Sequence, residues 1–358
     1  MDEPSGDWLG GLPAGKVPYA DHWGHLPHTG PPLTPEDQAL SDAETTTPDS
    51  RTVAAPRVWR CGGVRSIRRL LRDEQGCLPL GALARVRLGV QTSCDPVFLL
   101  ESADQPGTGT SVRAWSSHGG GTVEVERAGV MAYAKGSTHL EPFRLKRRPD
   151  WLVWPYDEQG ELLSQERLQA DLPLTWRYLQ QCRDRLRARE SGRLDRGGWW
   201  CFRRPQGLGV ARRANKILVP SIMRPATAYL DRDGNLAFPG SGTGGGGAWA
   251  IELYRDESRV SIRWLLAVLN SEPYWDWLRW EGDRKKGGWR GVDRSILLRV
   301  PVPLPASQEV RERAERLTEE IESLPCGPET TRRQDEINRI VRQVPPPGAW
   351  PRRLPGSR

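Results

Sequence analysis

The strongest constraint on the fold is a set of short β-type runs that are too irregularly spaced for a repeating strand-helix-strand chain. They read LARVRLGVQ (83 to 91), PVFLLE (96 to 101), GTVEVERAGVM (121 to 131), DWLVWPY (150 to 156), NKILVPSIM (215 to 223), ATAYLD (226 to 231) and AWAIELY (248 to 254). Gly- or Pro-containing turns separate most of them, and Asp231-Arg232-Asp233-Gly234 reads as a hairpin turn. Helical patterns interrupt the runs. Over 174 to 190, Trp176, Leu179, Cys182 and Leu186 line one face, and residues 261 to 278 open with a buried helix. This order predicts an α+β body with a mixed β-sheet and interspersed helices. Past Pro305, Val310, Ala314, Leu317, Ile321 and Leu324 repeat at helical spacing. Ile337, Ile340, Val341 and Val344 repeat likewise after the break at Cys326-Gly327-Pro328, so a C-terminal helical hairpin closes the chain.

Charge divides the chain in a second way. Residues 1 to 56 carry nine acidic side chains against Lys16 and Arg51, a net of −7, whereas the remaining 302 residues carry 50 basic and 36 acidic groups, a net of +14. The acidic segment is rich in Pro, Gly, Asp, Thr and Ser and poor in large aliphatic residues, so it predicts a disordered tail. Its His22, His25 and His28 sit among Gly and Pro that oppose a helix, and no ligand cluster completes a metal set. The expected divisions are a tail at 1–56, a basic body at 57–306, the hairpin at 307–344 and a second disordered tail at 345–358. A basic body favours a polyanionic partner; a solubility charge, or the preference for Arg (46) over Lys (6), gives the same number.

Several chemistries are missing from the sequence. No uncharged apolar run reaches the about 20 residues of a membrane span, and MDEPSGDW resembles no signal peptide, so the expectation is a soluble, cytoplasmic protein without a membrane partner. The six cysteines have no CxxC spacing. GxxxxGK[ST] and GxGxxG are absent, and neither His118 nor His139 has a nucleophile elbow. The Gly-rich run 240–247 is too irregular for a phosphate cradle. Asp150 and Asp283-Arg284-Lys285 hold the letters of a metal-dependent nuclease in unrelated loops. Ser271-Glu272-Pro273-Tyr274 imitates a base-gripping N-P-P-[YF] motif, but it follows a helical LLAVLN and reads as a helix interruption.

A series of blocks carries a positive signal. Gly89 to Phe98 (GVQTSCDPVF) looks like an opening hairpin of the form G-[VI]-x-T-G-x-[DN]-x-[AV]-F, with Ser93 where Gly is usual. Lys135-Gly136 follows, then WLVWPYD (151 to 157), Tyr178-Leu179 through Leu186 and Arg189, WWCFRRP (199 to 205), KILVP (216 to 220), LLAVLNS (265 to 271), KGGWR (286 to 290) and VPVP (300 to 303). In this order the blocks resemble the target-recognition region of TaqI-like, gamma-class DNA adenine methyltransferases and restriction-modification enzymes, without their catalytic domain.

The resemblance implies a specificity module that binds double-stranded DNA and acts with a separate catalytic methyltransferase subunit. S-adenosylmethionine belongs on that partner, and this chain holds no cofactor, no metal and no catalysis of its own. The residues it points to for DNA contact are Gln91, Thr92, Ser93, Asp95, Lys135, Arg203, Arg204, Lys216, Lys285, Lys286 and Arg290. Their chemistry suits the task. Gln pairs donor and acceptor with adenine, Arg reaches two acceptors on guanine, and a flexible Lys-Gly-Gly loop lies over phosphate. Rival readings are a nucleic-acid binder without sequence preference and a metal-dependent nuclease in its own right.

Overall fold

The computed structural model describes residues 76–102, 109–194, 198–204, 207–240, 246–254 and 260–343. The acidic tail with its three histidines, the tail 345–358 and residues 241–245 of the Gly-rich run lie outside them. In chain order the elements are β1 (Cys77–Pro79), α1 (Leu80–Leu83), β2 (Ala84–Leu88), α2 (Asp95–Phe98), β3 (Leu99–Ser102), β4 (Ser111–Ser116), β5 (Gly121–Glu126), β6 (Val130–Tyr133), α3 (Gly136–His139), β7 (Leu140–Glu141), β8 (Arg144–Leu145), β9 (Asp150–Val153), α4 (Gln165–Asp171), α5 (Pro173–Gln181), α6 (Arg183–Arg187) and α7 (Leu208–Ala211). There follow β10 (Lys216–Pro220), β11 (Ile222–Met223), β12 (Tyr229–Asp231), β13 (Leu236–Ala237), β14 (Ala248–Leu253), α8 (Ile262–Leu269), α9 (Glu272–Glu281), β15 (Asp283–Arg284), β16 (Arg290–Gly291), α10 (Arg294–Arg299), β17 (Pro301–Pro303), α11 (Gln308–Ser323) and α12 (Pro328–Gln343).

The class is α+β. A six-stranded sheet in the order β13-β6-β9-β3-β4-β5 is antiparallel except where β13 runs parallel to β6. A four-stranded antiparallel sheet runs β12-β10-β14-β2. Strand β10 is buried along its whole length, which is why Lys216–Pro220 reads as an apolar run without alternation. Ile217 and Val219 join a core with Trp264, Leu265, Leu269, Leu317 and Val341, whereas Leu218 packs in a small cluster with Phe238 and Ala250. A separate core gathers Leu152 with Phe98, Trp154, Tyr156, Trp176, Trp199, Trp200 and Phe202, whose rings meet in edge-on or tilted contacts.

The helical pair packs on the body. Ala314, Leu317 and Ile321 of α11 and Ile337 and Val341 of α12 are buried in the core that holds α8. Among their outward charges, Arg313 Nε pairs with Glu336 at 2.8 Å, Arg342 with Glu272 of α9 at 2.8 Å and Asp276 at 3.3 Å, and Glu319 with Arg263 of α8 at 3.0 Å.

Two local expectations change. Asp231–Gly234 does turn the chain, but it is not a hairpin, because β12 pairs with β10 while β13 pairs with β6 in the other sheet. The Asp231 carboxylate accepts the Gly234 and Leu236 amides, at 3.1 and 3.2 Å, where a hairpin ladder would have used backbone partners. The helix expected over 174 to 190 breaks at Cys182 into α5 and α6, although all four residues of its predicted face are buried. The break at 271 falls as expected. Ser271 caps α9 by accepting the Tyr274 amide, and Tyr274 is entirely buried, unable to stack on a base.

Helix α5 is capped from outside its own chain segment. The Glu126 carboxylate accepts the Leu174 amide at 2.6 Å, the Thr175 amide at 2.8 Å and the Thr175 hydroxyl at 2.6 Å. Burial would raise its pKa, but these hydrogen bonds outweigh burial and hold the carboxyl below its ordinary value. A depressed folded-state pKa adds stability above the unfolded value, about 4.3, and that stability is lost as pH falls through the lower folded value. Glu126→Gln is therefore expected to cost about 0.5–2 kcal/mol at pH 7, by urea denaturation, with the gap to wild type closing below about pH 4. A gap of constant size across that range would refute the linkage.

Candidate nucleic-acid interface

The segment from Gly89 is a threaded strip and not the hairpin that its sequence suggests. The Val90 amide donates to the Phe238 carbonyl at 2.9 Å, the Gly240 amide to the Val90 carbonyl at 2.8 Å and the Arg204 amide to the Gln91 carbonyl at 3.4 Å. A Cβ at Gly89 would stand 2.2 Å from the Phe238 carbonyl oxygen, so only glycine admits this approach. Bonding on both edges by distant segments replaces the local pairing of a hairpin. Beyond it, Ser93 is exposed and left-handed, at φ 56°. Thr92 is buried, donating its hydroxyl to Asp95 and accepting the Cys94 amide at 3.1 Å. Thr92 and Asp95 thus hold the turn, while half-buried Gln91 and exposed Ser93 border solvent.

Arg189 pins this turn from below. Its guanidinium, only 7% exposed, donates to the carbonyls of Leu186 (2.9 Å), Thr92 (2.7 Å), Trp199 (2.6 Å) and Cys201 (2.9 Å) and lies 5.4 Å from the Phe98 ring centre. The predicted arginine segment follows directly. Arg203 is exposed and 3.1 Å from Glu190, and Arg204 is exposed with no carboxylate partner among the described residues.

The ends of the Gly-rich run touch two of the predicted blocks. At one end Gly240 abuts the Gln91 side chain; at the other a Cβ on Gly136 would stand 2.5 Å from the Gly247 carbonyl oxygen. Lys135 is half-buried, with its amine 4.0 Å from Asp150 and its amide donating to His139 Nδ1 at 3.0 Å. Burial would raise the Asp150 pKa, but the His139 hydrogen bond and the charges of Lys135 and Arg147 hold it low. Gly247 also accepts the Ser221 amide at 2.8 Å, and Ser221 in turn accepts the Val292 amide at 2.7 Å. Through these bonds the Gly-rich run joins the Lys-Gly-Gly loop, which β15 and β16 tie to β11.

In that loop Lys285 and Lys286 are exposed and, among the described residues, without a carboxylate partner; so is Arg284, which the sequence reading placed only in the nuclease alternative. Trp280, 59% exposed on the last turn of α9, was missed as well. Helical spacing was the available signal: Tyr274, Trp277 and Leu278 make the buried face, and position 280 falls off it.

Three predicted contact residues are corrected. Lys216 is fully buried, its amine bonded to Asp231 and to the carbonyls of Ala211 (2.8 Å) and Arg213 (3.0 Å), so it has no access to phosphate. Arg290 is 2% exposed and donates to the carbonyls of Arg279 and Trp289, each at 3.3 Å, fastening the loop to α9. Buried Thr92 likewise offers its side chain to the turn alone. Asp150, one half of the nuclease alternative, is also buried.

No family model and no curated protein matches the chain. Among the described residues no group of three or more His, Cys, Asp or Glu is placed to hold a metal, and no helix is long and apolar enough to cross a membrane.

Proposed function

We propose that the chain is the sequence-specific DNA-binding module of a site-specific adenine methyltransferase or restriction-modification system. It works with a separate catalytic subunit that binds S-adenosylmethionine. The observation that carries this reading is the convergence of blocks distant in sequence. Gln91 and Arg204 share a backbone bond, Gln91 and Lys135 flank the two ends of one Gly-rich run, and that run bonds onward to the loop bearing Lys285 and Lys286. Two details support it further. The left-handed backbone at Ser93 falls where the resemblance expects glycine, and Arg189, also part of the resemblance, fixes that turn.

In this reading Gln91, Ser93 and the Arg203-Arg204 pair read base edges, while Arg284, Lys285 and Lys286 attract phosphate without regard to sequence. The chain selects the site and holds the deformed duplex, and the partner carries out methyl transfer. With the partner subunit present, Gln91→Ala or Arg204→Ala is expected to cost about 1–3 kcal/mol on the cognate duplex and little on a scrambled one. Lys286→Ala is expected to weaken both duplexes alike and to lower the salt slope by about one. Binding isotherms across a salt series read both effects. Equal losses on both duplexes for all three variants would make the chain a general DNA clamp and end the claim of target recognition.

A further inference from the structure

A second basic feature lies at the free edge of the four-stranded sheet, and the DNA-binding reading does not use it. Strand β2 is the edge strand, and its residues alternate: Ala84 and Val86 are buried, Arg85 and Arg87 exposed on the opposite face. Arg294 of α10 reaches the same strand, donating its Nε to the Val86 carbonyl at 3.3 Å. Tyr254, just past β14 and 39% exposed, lies with its ring centre 5.5 Å from the Arg85 guanidinium carbon. Together with Gly81 and Leu298, these four side chains line a cleft of about 480 Å³.

Among the described residues the charges of this cleft are unbalanced. Arg87 meets Glu252 at 3.4 Å, but neither Arg85 nor Arg294 has a carboxylate partner among the described residues. Elsewhere on the surface Arg311, Arg313, Arg332, Arg333 and Arg342 of α11 and α12 each meet a carboxylate, so the contrast does not reflect a uniform excess of positive charge. Arg85 and Arg294 thus line one cavity with no carboxylate between them among the described residues, and an anion seated there would relieve their mutual repulsion. The Arg85 guanidinium carbon lies over the Tyr254 ring, 5.5 Å from its centre, and among the described residues Arg294 donates through Nε alone. A planar fork of donors matches the oxygens of a phosphoryl group, and the volume accommodates one or two such groups.

We propose that the cleft between β2 and α10 binds a phosphoryl anion through Arg85 and Arg294, with Tyr254 as the platform that holds Arg85. The phosphoryl group belongs either to a nucleic-acid backbone or to a free diphosphate-bearing compound. The assignment does not depend on the specificity-module reading, since no cognate sequence is needed to observe it.

The experiment titrates the full chain at low ionic strength with inorganic pyrophosphate by calorimetry and with a random-sequence duplex by fluorescence anisotropy. Each titration is repeated for the double variant Arg85→Gln/Arg294→Gln and for Arg177→Gln, an exposed control on α5. Wild type and control are expected to bind at least one probe saturably, and the double variant to bind it at least tenfold more weakly. A loss for the duplex assigns the phosphoryl group to a nucleic-acid backbone; a loss for pyrophosphate alone assigns it to a free compound. A second readout uses wild-type protein only: pyrophosphate or duplex should suppress phenylglyoxal modification of Arg85 and Arg294, mapped by mass spectrometry. Unchanged affinity of the double variant for both probes, or modification that neither probe suppresses, would overturn the proposal.

Discussion

Arg189→Ala should lose about 3–5 kcal/mol of unfolding free energy, the range found when a buried charged network is broken from one side. The guanidinium serves four carbonyls on three stretches of chain: the turn at Thr92, the end of α6 at Leu186 and the aromatic segment at Trp199 and Cys201. Removing it leaves those oxygens without donors in a site closed over by Phe98, and water cannot reach all of them without opening the aromatic core. Lysine keeps the charge but gathers its donors at one point, so Arg189→Lys should recover only part of the loss. Urea denaturation measures both variants. A loss below about 1 kcal/mol for alanine would mean that solvent already serves those carbonyls.

A comparable loss, again about 3–5 kcal/mol, is expected for Lys216→Met, because the Asp231 carboxylate would be left buried without its cation. The Gly234 and Leu236 amides still bond that carboxylate, yet two dipoles do not replace a full charge. Adding Asp231→Asn removes the stranded charge, so the double variant should be more stable than the sum of the single losses predicts. The coupling from the double-mutant cycle decides the matter. Strict additivity would show that the two groups act independently and that the burial of Lys216 rests on its carbonyl partners alone.

The fold class was legible because it depends on pattern. Runs of period 2 and of period 3.6 in irregular order give an α+β chain, and the spacing of Ala314, Leu317 and Ile321 was enough to place the closing helices. The failures share one physical cause. The strip at 89–91 and the turn at 231–234 look like hairpins locally, but the strip bonds to Phe238 and Arg204 and the strands beside the turn pair with β10 and β6, none of which a local pattern can specify. Lys216 and Arg290 were misassigned for a related reason. A cation at the edge of a strand or loop has the same sequence signature whether its donors face water or a cage of carbonyls. Arg85 and Arg294 were passed over because their meeting depends on a contact across 208 residues, between Arg294 and Val86.

The two large cores are nested along the chain. Apart from Ala237, the aromatic core draws its residues from Val90 to Ala211, between the strands that open and close the helical core. Strand β2 waits for β14, with Leu88 opposite Trp249, and β1 waits for β17, with Cys77 opposite Pro303. During synthesis, then, the inserted half has nearly its full complement of residues outside the ribosome while the enclosing half still lacks most of its sheet and all of its long helices. Order of emergence therefore favours folding from the middle outward, with the enclosing half closing last around an insert that is already largely formed.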